Sequence, residues 1–315
     1  MKYITSSLDF VLNRRSAITL GKFDGLHRGH RKLLNCIKKF GEDGFETVIF
    51  TFDVSPVMRL SDPSFKVILT NEERRHVAEQ EGVECLIECP FVPEIMHMDA
   101  KDFVREILVN QMKAAYIAVG PDFHFGYKRQ GTPQLLAEMG RQYGFSVDIV
   151  EKEMDEGKEI SSTYIREEII AGNIETANGL LGYPFFIEGE ILHGNHLGHT
   201  IGVPTINQRP CTQKLLPPFG VYASVTEIEG IHYFGISNIG IKPTVGDRFP
   251  GVETYLFDCD EQLYGKQACV KLHHFLRPEF KFSSLTELKH QIRRDEVQCL
   301  QFFRDTYGQT AEFPL

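Results

Sequence analysis

Short apolar runs alternate with helical stretches through the first half of the chain, and few folds accommodate that order. Residues 17–23 (AITLGKF), 47–53 (TVIFTFD), 85–91, 116–119 and 145–150 read as strands. Between them, 29–40, 71–81, 101–112 and 133–143 read as helices, with Asn71 at an N-cap and Pro133 in a first turn. Strands this short and apolar are buried on both faces, so an α/β domain is expected, a parallel sheet covered by helices on both sides.

The pattern changes near residue 184. Residues 185–192 (FFIEGEIL), 221–228, 231–239, 252–258 and 267–276 read as strands with no helix between them, and Glu229-Gly230 as a hairpin turn. A small antiparallel β-barrel is expected. A terminal helix follows from about Ser283, with Leu285, Leu288, Ile292, Cys299 and Phe303 on one apolar face. Residues 161–181 read as two short helices broken at Gly172-Asn173, a bridge and not a loose linker. A length of 315 residues suits two domains, placed here at 1–183 and 184–315.

Composition narrows the function. A net charge of −9 disfavours a general nucleic-acid binder. The seven cysteines form no C-x-x-C pair, which fits free thiols in a reducing, cytoplasmic compartment. No apolar run approaches a membrane span, and the first residues lack a signal-peptide core. Small-molecule partners are expected, without nucleic acid or membrane. The oligomeric state stays open, a homo-oligomer among the options.

The run Gly21-Lys22-Phe23-Asp24-Gly25-Leu26-His27-Arg28-Gly29-His30 follows the first strand and opens the first helix. Open parallel sheets bind ligands at the carboxyl ends of their strands. Glycines let the backbone approach phosphate, and the helix N-terminus offers N–H groups and partial positive charge. His27 and His30, three apart, point the same way and can hold a triphosphate. Zinc binding and a structural role compete, but no further His/Cys cluster supplies a third zinc ligand. Ser161, Ser162 and Thr163 with Arg166 make a phosphate clamp or, read alone, a plain N-cap. Asp122, Phe123 and Phe125 offer aromatic faces to a flat ring, or pack in a core.

In Gly198-His199-Thr200-Ile201-Gly202-Val203-Pro204-Thr205-Ile206-Asn207, the Thr205 and Asn207 side chains face one side of an extended segment. They are hard neutral oxygen ligands suited to Mg²⁺, and Gly198 and Gly202 leave room for phosphate. Thr-x-Asn alone also fits a surface turn. Glu253 opens a strand, where a carboxylate can take a proton from an attacking alcohol or simply sit solvated.

These segments resemble one family. GKFDGLHRGH looks like the G-x-F-D-G-x-H-x-G-H signature of flavin-adenylating nucleotidylyltransferases, whose domain is a Rossmann-like parallel sheet. Residues 119–126 (VGPDFHFG) and 160–166 (ISSTYIR) resemble its V-G-x-D-F-x-F-G and I-S-S-T-x-I-R segments. GHTIGVPTIN resembles the G-R-T-I-G-F-P-T-A-N signature of riboflavin kinase modules, and Gly220-Val221-Tyr222-Ala223, Asn238-Ile239-Gly240, Val252-Glu253 and Leu276-Arg277-Pro278-Glu279 follow in that family's order. The chain is therefore similar to the prokaryotic bifunctional riboflavin kinase/FMN adenylyltransferase family, also called FAD synthetase.

The resemblance implies that ATP phosphorylates riboflavin to FMN, and that a second ATP adenylylates FMN to FAD and pyrophosphate. It implies catalytic roles for His27 and His30, with nucleotide contacts from Gly21, Phe23, Asp24, Gly25, Gly29, Ser161, Ser162, Thr163 and Arg166. In the second module it implies nucleotide contacts from Gly198 and Gly202, Mg²⁺ at Thr205 and Asn207, and a catalytic base at Glu253. It puts Asp122, Phe123, Phe125 and Arg277 on the flavin side. Three departures stand out: TFDVSP at 51–56 for T-F-x-P-H-P, His199 for Arg and Ile206 for Ala. They leave two rivals, a protein with one working module (FMN adenylyltransferase alone) and a non-enzymatic flavin-binding regulator.

Overall fold

The computed structural model describes residues 1–54, 60–194, 202–244, 247–259 and 261–308, with backbone alone at 242–244, 247 and 248. The chain divides into two compact units, Met1–Tyr164 and Ile165–Leu315.

In the first unit six parallel strands form one sheet. β1 (Lys2–Thr5), β2 (Ser16–Leu20), β3 (Glu46–Phe52), β4 (Cys85–Cys89), β5 (Ala114–Val119) and β6 (Ser146–Ile149) lie in the order β1-β4-β3-β2-β5-β6. β2 and β4 are buried throughout, as strands between two layers must be. β1 adds a strand to the five expected: KYIT is too short and mixed to stand out, and joins by pairing with β4.

Among the described residues the α-helices α1 (Arg28–Gly41), α2 (Asn71–Gln80), α3 (Pro93–Met96), α4 (Ala100–Asp102) and α5 (Pro133–Tyr143) fill the crossovers. α1 buries Leu33, Leu34 and Ile37 and carries Lys38 and Lys39 in its last turn, where the helix dipole favours cations. Thr70, not Asn71, caps α2: Thr70 Oγ1 accepts from Glu73 N, and the Glu73 carboxylate accepts from Thr70 N. The helix expected over 101–112 widens after α4 into a π-helical stretch, Phe103–Gln111, that buries Phe103, Val104, Ile107 and Leu108. The strand expected to reach residue 23 stops at Leu20, because Phe23 and Leu26 take left-handed backbone, φ 48° and 37°.

A two-stranded hairpin, β7 (Met154–Asp155) and β8 (Lys158–Glu159), leads to α6 (Ser162–Ala171), which spans the division between units.

The second unit holds α7 (Ile174–Leu181), β9 (Phe186–Glu190), β10 (Thr205–Gln208), β11 (Gly220–Ile228), β12 (Ile231–Thr244), β13 (Asp247–Leu256), β14 (Gln267–Pro278) and α8 (Leu285–Tyr307). The strands are antiparallel in the order β10-β13-β12-β11-β14-β9. Leu192, just past β9, donates its N–H to Asn207 O of β10 at 2.7 Å, which closes the sheet into a barrel. Glu229 and Gly230 are both left-handed (φ 51° and 81°), as a tight hairpin turn requires. α8 packs Cys299 and Phe303 against Val221, Ala223, Val225 and Ile236. Leu285, expected on that face, is 48% exposed at the helix's first position, and a buried Asp295 takes a place on the face instead.

Candidate active sites

β2 lies between β3 and β5, so the loops leaving β2 and β5 emerge side by side from one edge of the sheet. The first is the GKFDGLHRGH run and the second is GPDFHFG. A crevice at such a reversal of strand order is where open α/β sheets bind ligands.

The turn after β2 is strained. Phe23, Gly25 and Leu26 have φ 48°, 93° and 37°. Left-handed backbone costs a non-glycine residue about 1–2 kcal/mol, so neighbours must hold the turn. Thr51 Oγ1 donates to Lys22 O at 3.2 Å, and Ser162 Oγ donates to Asp24 O at 2.7 Å. Asp24 Oδ1 accepts from Ile68 N at 2.7 Å and Leu69 N at 3.3 Å.

That turn makes His27 the N-cap of α1 and brings His30 beside it. The two imidazoles stack, with ring centroids 3.7 Å apart and 23° between planes. Burial pushes the His27 pKa down to about 4 and the His30 pKa well below its ordinary value, so both rings are neutral near pH 7. Neither Nδ1 has a hydrogen-bond partner among the described residues. The α1 terminus adds positive potential at this point, with no acidic residue in its first turn and no side-chain cap. A Cβ on Gly29 would stand 3.2 Å from the His27 ring, and one on Gly21 3.2 Å from the Phe23 ring.

Ser161 Oγ accepts from Tyr164 N at 3.2 Å, the capping role open from the sequence. Thr163 is exposed, and Arg166 lies partly buried one turn further along α6. Phe123 stacks on Phe125 with centroids 5.6 Å apart, and Phe125 is itself buried in the core. Asp122 is exposed and pairs with Lys152.

In the barrel, Glu253 of β13 has Asn207 of β10 directly across on one side and Asn238 of β12 on the other. Thr205 Oγ1 donates to Glu253 Oε1 at 2.8 Å. Thr205 is thus bonded to Glu253, and Asn207 stands opposite Glu253 in the strand register. Asn238 Nδ2 donates to Glu279 Oε1 at 3.1 Å, and Gly240 leaves the space this carboxylate occupies. Asn238 and Glu279 lie in the Asn238-Ile239-Gly240 and Leu276-Arg277-Pro278-Glu279 segments, and the resemblance implies no role for either. Only the strand register shows Asn238 beside Glu253. Gly202 is left-handed at φ 72°. Gly198 and His199, like Ser55 and Pro56 of the altered loop, lie outside the described residues.

Arg277, expected on the flavin side, is held by a carboxylate of the terminal helix. Its Nε donates to Asp295 Oδ1 at 2.9 Å and its Nη2 to Oδ2 at 2.7 Å, while its guanidinium carbon lies 4.4 Å from the centre of the Phe280 ring. A guanidinium committed to a buried carboxylate ties β14 to α8.

Among the described residues no three of His, Cys, Asp and Glu gather as a metal set, and no helix is long and apolar enough to cross a membrane.

Two family models match the chain: FAD synthetase over residues 10–164 and riboflavin kinase over residues 181–303. The bifunctional riboflavin kinase/FMN adenylyltransferase of Escherichia coli K12 is 36% identical over 292 residues, 91% of this chain and 92% of that protein. The Bacillus subtilis protein of the same description is 33% identical over 296 residues, 92% and 93% of the two chains. A crystal structure described as a macrolide-efflux protein from Streptococcus pneumoniae overlays with a TM-score of 0.83 at 32% identity, covering 95% of this chain and 98% of that one. With both modules matched in order and the alignment running over nearly the whole of each relative, the chain belongs to the bifunctional riboflavin kinase/FMN adenylyltransferase family.

Proposed function

We infer that the chain makes FAD from riboflavin in two steps, one in each module. The observation that carries this reading is that one chain holds both sets of groups: the His27/His30 stack at the α1 terminus, and the Thr205–Glu253 pair beside Asn207.

In the kinase step Glu253 takes the proton of the riboflavin 5′-hydroxyl. The hydroxyl oxygen bonds to the γ-phosphorus of ATP, and ADP leaves with the electrons of the broken P–O bond. Thr205 orients the Glu253 carboxylate through its hydroxyl hydrogen, and the Gly202 turn leaves room for phosphate beside it. The hydroxyl and amide oxygens of Thr205 and Asn207 would hold Mg²⁺. When bound there, Mg²⁺ neutralises phosphate charge.

In the adenylyl step an FMN phosphate oxygen bonds to the α-phosphorus of ATP, and pyrophosphate leaves. Neutral His27 and His30 donate N–H groups to phosphate oxygens, while the α1 terminus faces the charge that develops. Gly21, Phe23, Gly25, Gly29, Ser161, Ser162 and Thr163 line the nucleotide side, and Arg166 is the cation of the ISSTYIR motif. Phe123 and Asp122 border the flavin, with Phe125 fixing Phe123 from beneath.

The modules are read as 1–183 and 184–315, working in the cytoplasm on small molecules. The test is a time course of riboflavin, ATP and Mg²⁺ with the flavins separated by chromatography. FMN rises first and FAD follows. FAD from supplied FMN, with no FMN from riboflavin, would leave a chain with one working module.

A further inference from the structure

We propose that Asp24 is a positioning residue for adenylyl transfer: its carboxylate ties the His27/His30 turn to the segment before α2, and it is not a ligand of nucleotide or metal. This rests on the adenylylation read above.

The turn takes backbone that is costly for its non-glycine residues. Phe23, Gly25 and Leu26 are left-handed, and within the turn Leu26 N reaches Phe23 O at a long 3.4 Å. Such a conformation persists where surrounding structure fixes it. Asp24 Oδ1 takes the N–H groups of Ile68 and Leu69, two residues with exposures of 0% and 3%. Those amides belong to buried residues, and losing Asp24 takes a hydrogen-bond acceptor from both of them.

The segment that supplies them is itself anchored. Leu69 runs directly into the Thr70 cap of α2. Asn71 Nδ2 donates to Asp53 O at 2.8 Å, and Arg74 Nη2 donates to Phe52 O at 3.1 Å and to Asn71 Oδ1 at 3.0 Å. Arg74 Nε donates to Glu88 Oε1 at 3.0 Å, and the Glu88 side chain is fully buried. The start of α2 thereby grips the carboxyl ends of β3 and β4, and Asp24 fastens the strained turn to that grip. Misplacing His27 and His30 by a fraction of an ångström is enough to slow a reaction that depends on positioning.

What the two amides need from Asp24 is an oxygen acceptor, which an asparagine side chain also provides. A ligand of Mg²⁺ or a partner of a cationic group needs the charge. The experiment therefore measures FMN-to-FAD conversion against ATP concentration for wild type, Asp24→Asn and Asp24→Ala in the full chain. Riboflavin-to-FMN conversion in the same preparations serves as an internal control. The expectation is that Asp24→Asn keeps kcat for adenylylation within about threefold. Asp24→Ala loses at least about tenfold in kcat, the scale of a lost buried hydrogen bond, with a smaller change in KM for ATP. Both keep the kinase step. Equal damage from both substitutions, or an alanine variant as active as wild type, would overturn the proposal. If the alanine variant loses the thermal transition of its module, the asparagine variant decides alone: retained activity supports positioning and lost activity refutes it. Wild type that fails to adenylylate FMN would overturn instead the reading beneath it.

Discussion

Thr205 and Glu253, forty-eight residues apart in the chain, are joined by a 2.8 Å hydrogen bond between the neighbouring strands β10 and β13. A carboxylate that must meet a substrate hydroxyl gains from such a fixed donor, because its rotamer is set before substrate arrives.

Replacing Thr205 by Val keeps the shape and removes the hydroxyl. The expected loss is about 10- to 100-fold in riboflavin phosphorylation, from one hydrogen bond and one oxygen ligand. Conversion of supplied FMN to FAD stays at the wild-type rate. Steady-state rates of the two half-reactions check this, and an equal loss in both would contradict it.

Gly29 tests the histidine stack. A Cβ there meets the His27 ring at 3.2 Å, so alanine must push the ring by a few tenths of an ångström. Gly29→Ala favours the helix itself by about 1 kcal/mol. The protein should melt no earlier, while FAD formation falls about tenfold from the misplaced ring. A variant both less stable and fully active would show the ring position to be irrelevant.

How much of this is legible in the sequence follows from what each residue's partners are. The parallel sheet and the barrel announce themselves through strand–helix order and through strands without helices. β1 and β10 do not, because KYIT and TINQ mix polar and apolar residues and carry no apolar run. The end of β2 at Leu20 is fixed by bonds to Asp24 from Ile68, Leu69 and Ser162, far away in the chain. Motif spacing brings His27 and His30 together, but their neutrality follows from burial that spacing does not reveal. Arg277 shows the converse: its motif suggests a flavin contact, and its pairing with the buried Asp295 on α8 is not legible in the sequence.

Arg277 and Asp295 should behave as a buried pair. Asp295→Ala leaves a guanidinium without its carboxylate and is expected to cost about 3–5 kcal/mol of barrel stability. KM for riboflavin should hold at temperatures where the variant is folded. Denaturant unfolding with kinetics at low temperature checks both. A stable variant with a raised riboflavin KM would contradict this and support a flavin contact by Arg277.

Buried histidines make stability depend on pH with a definite sign. Burial lowers the pKa of His27 and of His273 to about 4, against an ordinary 6.5. Between those values the unfolded chain binds protons that the folded chain refuses. The stabilising contribution is therefore full above pH 6.5 and is lost as pH falls toward 4, at most about 3 kcal/mol for each ring. Urea midpoints should drop between pH 7 and pH 5, where carboxylates titrate little. His273→Gln should flatten that drop in the barrel's transition. A midpoint independent of pH over this range would contradict the burial argument.

The most direct measurement is the chromatographic time course repeated with Glu253→Gln. Wild type given riboflavin, ATP and Mg²⁺ should form FMN and then FAD. The variant should form FMN at least about a hundredfold more slowly, as expected for loss of a general base, yet convert supplied FMN to FAD at the wild-type rate. FMN formation undiminished in the variant, or loss of both steps together, would contradict two independent sites in one chain with Glu253 as the base of the first.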